Sequence, residues 1–222
     1  MMNIAVLGTG IVGRTIATKL VELGHSVRMG ARSPNNPKAA EWAAAAGANG
    51  SHGTFADAAA FGKVVFLCLL GSGTLEALEL AEEENLNDKI IIDITNPLDF
   101  SRADFSRGVG PTLYISGGSD SLGEQVQRRV PGAHVVKALN TVTANVMVNP
   151  GSLSGEHDLF ICGNNAEAKL QVSDWLRGWF GWQSILDIGD ITGARATEGQ
   201  MLLWLKLWAT LGTPNFNLRV VR

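Results

Sequence analysis

Only two cysteines, Cys68 and Cys162, occur in the 222 residues, each inside an apolar run that reads as a strand. They are too few and too far apart for a disulfide framework or a cysteine-based zinc site, and two buried thiols suit a reducing cytoplasm. Positive charge is scarce as well. Lys and Arg number 18 against 21 Asp and Glu, a net charge of −3, so no basic field exists to draw in nucleic acid or an anionic membrane. No apolar run reaches the roughly 20 residues that a membrane span needs. The most apolar late stretch, Met201–Leu211, carries Lys206 in its middle. The first residues carry no basic n-region, so no targeting leader is expected. The four histidines, His25, His52, His134 and His157, are scattered without metal-ligand spacing. We therefore expect a cytoplasmic protein with no metal and no nucleic-acid or membrane partner, and read His25 as an exposed or capping residue.

What is present begins at once. Asn3-Ile4-Ala5-Val6-Leu7 is a short apolar run leading into Gly8-Thr9-Gly10-Ile11-Val12-Gly13, and an amphipathic segment follows to Leu23. Strand, glycine turn and helix in that order form the context in which G-x-G-x-x-G binds a dinucleotide. Gly8 permits the tight turn, Gly10 lets a pyrophosphate approach the backbone, and Gly13 lets helix and strand pack closely. The free N–H groups at the helix start attract phosphate.

The second strand, read over His25–Ala31, indicates which dinucleotide. A fold specific for NAD places Asp or Glu about 20 residues past the glycines to hold the ribose 2′-hydroxyl. No carboxylate occurs between Glu22 and Glu41; the strand ends in Ala31-Arg32-Ser33, with Lys38 beyond. An arginine there can fork onto a 2′-phosphate and a serine can add a donor. The pattern predicts NADP(H).

Helical and strand-like segments then alternate. Helices are expected at Pro37–Gly47, Thr54–Phe61, Thr74–Asn85 and up to Val130, with strands at Val64–Leu70, Lys89–Thr95 and Ala133–Leu139. The unbroken Val64–Leu70 run marks a strand covered on both faces. Such alternation predicts an α/β fold, a Rossmann-type doubly wound and mostly parallel sheet. Residues 1–139 are expected to form the dinucleotide-binding domain, and residues 140–222 a small α/β C-terminal extension packing on it. Within the extension a helix is read at Thr143–Asn149, a strand at Asp158–Cys162, a helix at Ala166–Phe180, a strand at Ser184–Ile188 and a last helix at Ala194–Leu211. Apolar residues around Trp204 and Trp208 cover most of that last helix, which predicts burial on most sides, as core or as a dimer contact.

At this point the chain resembles the NADP oxidoreductases of the coenzyme F420-dependent type, a family that includes the oxidoreductase domain of the STEAP metalloreductases. Corresponding segments are Gly8–Gly13, Gly30-Ala31-Arg32-Ser33, Thr95-Asn96-Pro97-Leu98, Val136-Lys137-Ala138-Leu139-Asn140-Thr141, Phe160-Ile161-Cys162-Gly163-Asn164 and Leu186-Asp187-Ile188-Gly189. The resemblance implies hydride transfer between NADP(H) and a deazaflavin or flavin, in which the cofactors carry the chemistry and no catalytic side chain is required. Ligands of open α/β sheets sit beyond the carboxyl ends of the strands. Cofactor contacts are accordingly expected from Gly8, Thr9, Gly10, Ile11, Val12, Gly13, Ala31, Arg32, Ser33, Lys38, Leu69, Leu70, Gly71, Asn96, Pro97 and Ala138, and substrate contacts from Asn140, Thr141 and Val142. Leu70 and Val142 are read as an apolar floor and Asp93 as structural. Family members are often dimeric, and a homodimer is expected. Archaeal members carry His-Thr-x-Pro where this chain has Asn140-Thr141-Val142-Thr143, so the acceptor pocket is expected to be remodelled. Two alternatives stay open: a non-catalytic NADP-sensing module, and a reductase of another small acceptor such as an imine, a 3-hydroxy acid or a ferric chelate.

Overall fold

The computed structural model describes residues 1–104, 110–115 and 118–222. The first half alternates strictly: β1 (Asn3–Leu7), α1 (Ile11–Glu22), β2 (Ser26–Ala31), α2 (Pro37–Ala46), β3 (Gly50–Thr54), α3 (Phe55–Phe61), β4 (Val64–Leu67), α4 (Thr74–Ala81) and β5 (Ile90–Asp93). A hairpin of β6 (Leu98–Asp99) and β7 (Thr112–Leu113) precedes α5 (Leu122–Arg129) and β8 (His134–Lys137). The chain closes with α6 (Ala144–Val148), β9 (Asp158–Gly163), α7 (Ala166–Trp175), β10 (Ser184–Asp187) and α8 (Ala194–Leu211).

The main sheet has eight strands in the order β10-β9-β8-β5-β4-β1-β2-β3. Its pairings are parallel except β8 with β9, where Lys137 lies opposite Cys162 in antiparallel register. The expected Rossmann-type fold is therefore present, and residues after 140 add β9 and β10 to the same sheet. Side-chain alternation divides the core in two. Ile4 and Val6 of β1 join Ile16, Phe66, Ile92 and Val136 on one face, while Ala5 and Leu7 join Phe55, Val65, Ile91 and Val126 on the other. β4 and β5 are buried throughout, as apolar runs covered by helices on both faces must be. Strand order reverses between β1 and β4, which opens a crevice at their carboxyl ends.

Several local expectations are corrected. β3 was not read as a strand, because Gly50-Ser51-His52-Gly53-Thr54 lacks apolar alternation; it pairs with β2 at the sheet edge, where polar residues are favoured. The strand expected to reach Leu70 stops at Leu67, and Leu70 is 68% exposed. The helix expected to reach Asn85 stops at Ala81, where Glu82 takes a left-handed φ of 65°. His25 is neither exposed nor a cap; it is buried edge-on against Trp179, 4.8 Å between ring centres. The last helix departs most from expectation. Ala194, Thr197, Glu198 and Met201 are buried, but Leu202, Leu203, Trp208 and Leu211 are exposed, so its second half is not core of this chain. Among the described residues no helix is long and apolar enough to cross a membrane.

Candidate functional site

A hollow of about 490 Å³ opens at the carboxyl ends of β1, β2 and β4, lined among others by Gly8–Val12, Ala31, Arg32, Leu69 and Leu70. The glycine turn fixes its base. Gly8 has φ +125°, and a Cβ there would lie 2.2 Å from the Cys68 carbonyl oxygen. A Cβ on Gly13 would lie 2.2 Å from the Gly8 carbonyl oxygen, so α1 can approach the turn only without side chains. At Gly10 nothing lies within 4 Å of an added Cβ, which leaves room for a ligand against the backbone. No side chain caps the start of α1, so its first N–H groups remain available to an anion. By contrast α2, α3 and α7 are capped by Asn36, Thr54 and Asn165.

One end of the hollow carries Arg32. Its guanidinium is more than half exposed and forks onto Glu76 of α4, Nε donating to Oε1 at 3.3 Å and Nη2 to Oε2 at 2.8 Å. Bonding to Glu76 raises the Arg32 pKa further, and Arg32 holds the Glu76 carboxyl below the usual carboxylate range. Ser33 accepts from the Asn35 N–H at 3.4 Å. Lys38 is not brought to this hollow. It lines a separate depression between α1 and α2 with Arg14, Lys19 and Trp42.

Beyond the lining of this hollow, where the Asn96 backbone abuts Gly71, the loops after β5 and β8 are tied together. Asn96 Nδ2 donates to the Asn140 backbone oxygen at 2.8 Å, and Asn140 Nδ2 donates to Asn96 Oδ1 at 2.9 Å. Asn140 Oδ1 is buried without a hydrogen-bond partner among the described residues. Leu139, just before it, has φ +64°, a left-handed conformation costing a non-glycine residue about 1–3 kcal/mol and typical of functional loops. Ala138, Thr141 and Val142 are buried. Val142 belongs to the core and does not line the hollow, so it forms no common floor with the exposed Leu70.

Beneath these two loops lies a buried charged cluster. Lys137, fully buried, directs its ammonium to Asp93 Oδ2 at 3.0 Å, Glu198 Oε1 at 2.8 Å and the Thr95 carbonyl at 2.6 Å. Burial opposes the charge, but the two carboxylates outweigh it and raise the lysine pKa. Glu198 also accepts the Leu122 and Gly123 N–H groups at 2.8 and 2.9 Å, so the start of α5 offsets the surplus negative charge. Asp93 is structural, as expected, and through Lys137 the cluster holds the segment that presents Asn96. A charged residue inside each of two neighbouring apolar strands was the available signal.

Tyr114, the single tyrosine, was missed as well. Its N–H donates to the Pro97 carbonyl at 2.9 Å, and its hydroxyl packs over Gly71, 2.9 Å from where a Cβ would sit. Burial and the Glu198 charge raise its pKa. Burial raises the thiol pKa values as well, that of Cys68 upward and that of Cys162 up to about 12. No group of three or more His, Cys, Asp or Glu suited to a metal occurs among the described residues.

Comparison with known proteins fits this geometry. Residues 3–97 match the family model described as NADP oxidoreductase, coenzyme F420-dependent. A solved structure of a candidate F420-dependent NADP reductase from Arthrobacter sp. FB24 is 44% identical, covers 100% of both chains and superposes with a TM-score of 0.92. Metalloreductase STEAP3 of Rattus norvegicus is 29% identical over 93% of this chain but only 38% of its own length, so this chain spans little more than a third of that relative. A reductive aminase from Aspergillus terreus, solved with NADPH, shares the fold at 18% identity and a TM-score of 0.64, covering 96% of this chain and 63% of the other. The family match at the glycine turn and the end-to-end likeness to a solved relative agree: this chain belongs to the coenzyme F420-dependent NADP oxidoreductases.

Proposed function

We propose that this NADP-dependent oxidoreductase transfers hydride between NADPH and a small ring acceptor, a deazaflavin or a flavin. The observation that carries the reading is the hollow with the uncapped start of α1 at its base and Arg32 in its lining; the Asn96–Asn140 pair lies next to it, beyond Gly71. When bound, NADPH supplies the hydride from its nicotinamide. The backbone of Gly8–Gly13 and the start of α1 hold the pyrophosphate, and Arg32 with Ser33 holds the ribose 2′-phosphate. Leu69, Leu70, Gly71, Asn96 and Pro97 border the nicotinamide half. The unpartnered Asn140 Oδ1 is an acceptor suited to an amide N–H. A two-electron acceptor also takes up a proton, and the Tyr114 hydroxyl over Gly71 is placed to donate one and recover it from solvent. Asn140, in place of the archaeal histidine, offers an amide where a stacking ring stood, which favours an acceptor other than the family's usual deazaflavin.

We further place the protein in the cytoplasm, where NADPH is available, as a homodimer joined through the exposed half of α8. The test of function is NADPH consumption with deazaflavin, flavin and ferric acceptors offered in turn, beside NADPH and NADH titrations of Arg32→Ala. Removing the fork should weaken NADPH roughly ten- to a hundredfold, the span for a hydrogen bond to a charged group, and leave NADH unmoved. Equal weakening of both cofactors overturns the assignment of Arg32, and no turnover with any acceptor overturns the enzyme reading in favour of an NADP sensor.

A further inference from the structure

The arginine expected to hold a 2′-phosphate is already held. Glu76 reaches across from α4 and engages the Nε and Nη2 edge of Arg32 with both carboxylate oxygens. Phosphate uses that same edge, because the guanidinium fork matches any oxyanion that presents two oxygens. The pair bridges the mouth of the hollow, from the end of β2 to the helix that follows Gly71–Gly73, and the Arg32 Nη2 lies 3.4 Å from the position of a Gly73 Cβ.

Exposure separates this pair from structural ones. The Arg32 and Glu76 side chains are 63% and 55% exposed, so water screens the pair and it parts easily. Arg195 and Glu124 make a similar fork at 2.8 and 2.5 Å, but there the Glu124 side chain is only 9% exposed and Ser121 holds it as well. Glu76 has no hydrogen-bond partner besides Arg32 among the described residues. A carboxylate left in place would also repel a phosphate entering beside it.

We propose that Glu76 is an internal stand-in for the ribose 2′-phosphate: it occupies the Arg32 fork in the free protein, yields it to a phosphorylated dinucleotide, and so sets how tightly NADPH is held. The proposal rests on Arg32 being the 2′-phosphate site. NADH has nothing to exchange for Glu76, so the fork stays closed when NADH binds.

The experiment titrates the full chain with NADPH, NADH and 2′,5′-ADP, in the wild type, Glu76→Gln, Arg32→Ala, the double variant and Glu79→Gln. Glu79 is exposed on the same helix and pairs with Arg129, so it controls for general charge. Glu76→Gln should tighten NADPH and 2′,5′-ADP about two- to fivefold at low salt, the span for an exposed ion pair. The gain should shrink as salt rises, leave NADH unchanged, and vanish in the Arg32→Ala background. Glu79→Gln should change nothing. Unchanged or weaker NADPH binding in Glu76→Gln overturns the proposal, since Glu76 would then be absent from the exchange or a brace for Arg32. Tightening that persists without Arg32, or that Glu79→Gln reproduces, overturns it as a general charge effect. If Arg32→Ala fails to weaken NADPH, the underlying site reading falls and this proposal with it. If Arg32→Ala weakens NADPH but Glu76→Gln has no effect, only the stand-in role is lost.

Discussion

Replacing Lys137 by Met removes the cation that pairs with two buried carboxylates. The ammonium has three N–H donors and three acceptors, on Asp93, Glu198 and Thr95. Methionine fills a similar volume but leaves Asp93 and Glu198 facing one another in the interior. Removing one partner of a buried pair costs about 3–5 kcal/mol, and at about 2–4 °C per kcal/mol for a chain of this size, Tm should fall by about 6–20 °C. The pH dependence separates lost charge compensation from lost packing. In the wild type the folded-state pKa of Lys137 lies above its ordinary value. Its contribution is thus complete below the ordinary lysine pKa, flat across neutral pH, and lost only as pH rises through the raised value. In the variant that contribution is absent, so the deficit should be constant across neutral pH and shrink only as pH rises through the raised lysine value. Urea unfolding at several pH values measures this, with Lys137→Met/Asp93→Asn expected to recover part of the loss at neutral pH. A loss under about 1 kcal/mol, or one that does not shrink at high pH and is untouched by the second substitution, would refute the reasoning.

Gly10→Val should abolish NADPH binding while circular dichroism stays native, because the side chain enters open space against the backbone; normal fluorescence titration by the variant would reduce the turn to a structural element. Steady-state comparison of acceptors should give a higher kcat/KM with a flavin than with the deazaflavin; turnover of deazaflavin near the diffusional ceiling, with flavins inert, would show Asn140 and Thr143 to be neutral changes. Light scattering should find a dimer that Leu203→Glu or Trp208→Glu converts to monomer; a wild-type monomer at micromolar concentration removes the idea.

The parts of the fold written in contiguous residues were legible. The glycine turn, the buried runs of β4 and β5 and the order of alternation follow from local periodicity and backbone sterics. β3 was hidden because an edge strand can be polar. α8 misled because its apolar residues run round most of the circumference, while Leu202, Leu203, Trp208 and Leu211 are exposed in this chain. The site was legible where it is backbone, at Gly8–Gly13. It was opaque where it depends on pairings distant in sequence: Asp93 and Lys137 are direct partners in the β5–β8 register, Glu198 joins them from α8, and Glu76 meets Arg32 from α4. No spacing rule forecasts those meetings, and Lys38 shows the converse, a base near in sequence that points elsewhere.

The mutual bonds of Asn96 and Asn140 have a kinetic consequence. The loops they tie are joined to each other before any ligand arrives, resting on the buried cluster beneath them, whereas Arg32, on the proposed reading, exchanges one anion for another. On the same reading, association of NADPH needs no loop rearrangement at Asn96 and Asn140 and only a side-chain exchange at Arg32. Exposed side chains such as Arg32 and Glu76 rearrange in picoseconds to nanoseconds, so the proposed exchange is complete within the encounter and adds no slow step. Stopped-flow traces for NADPH should accordingly be single-phase, with a rate linear in concentration, and a second phase that saturates would reveal a rearrangement of the Asn96–Asn140 loops.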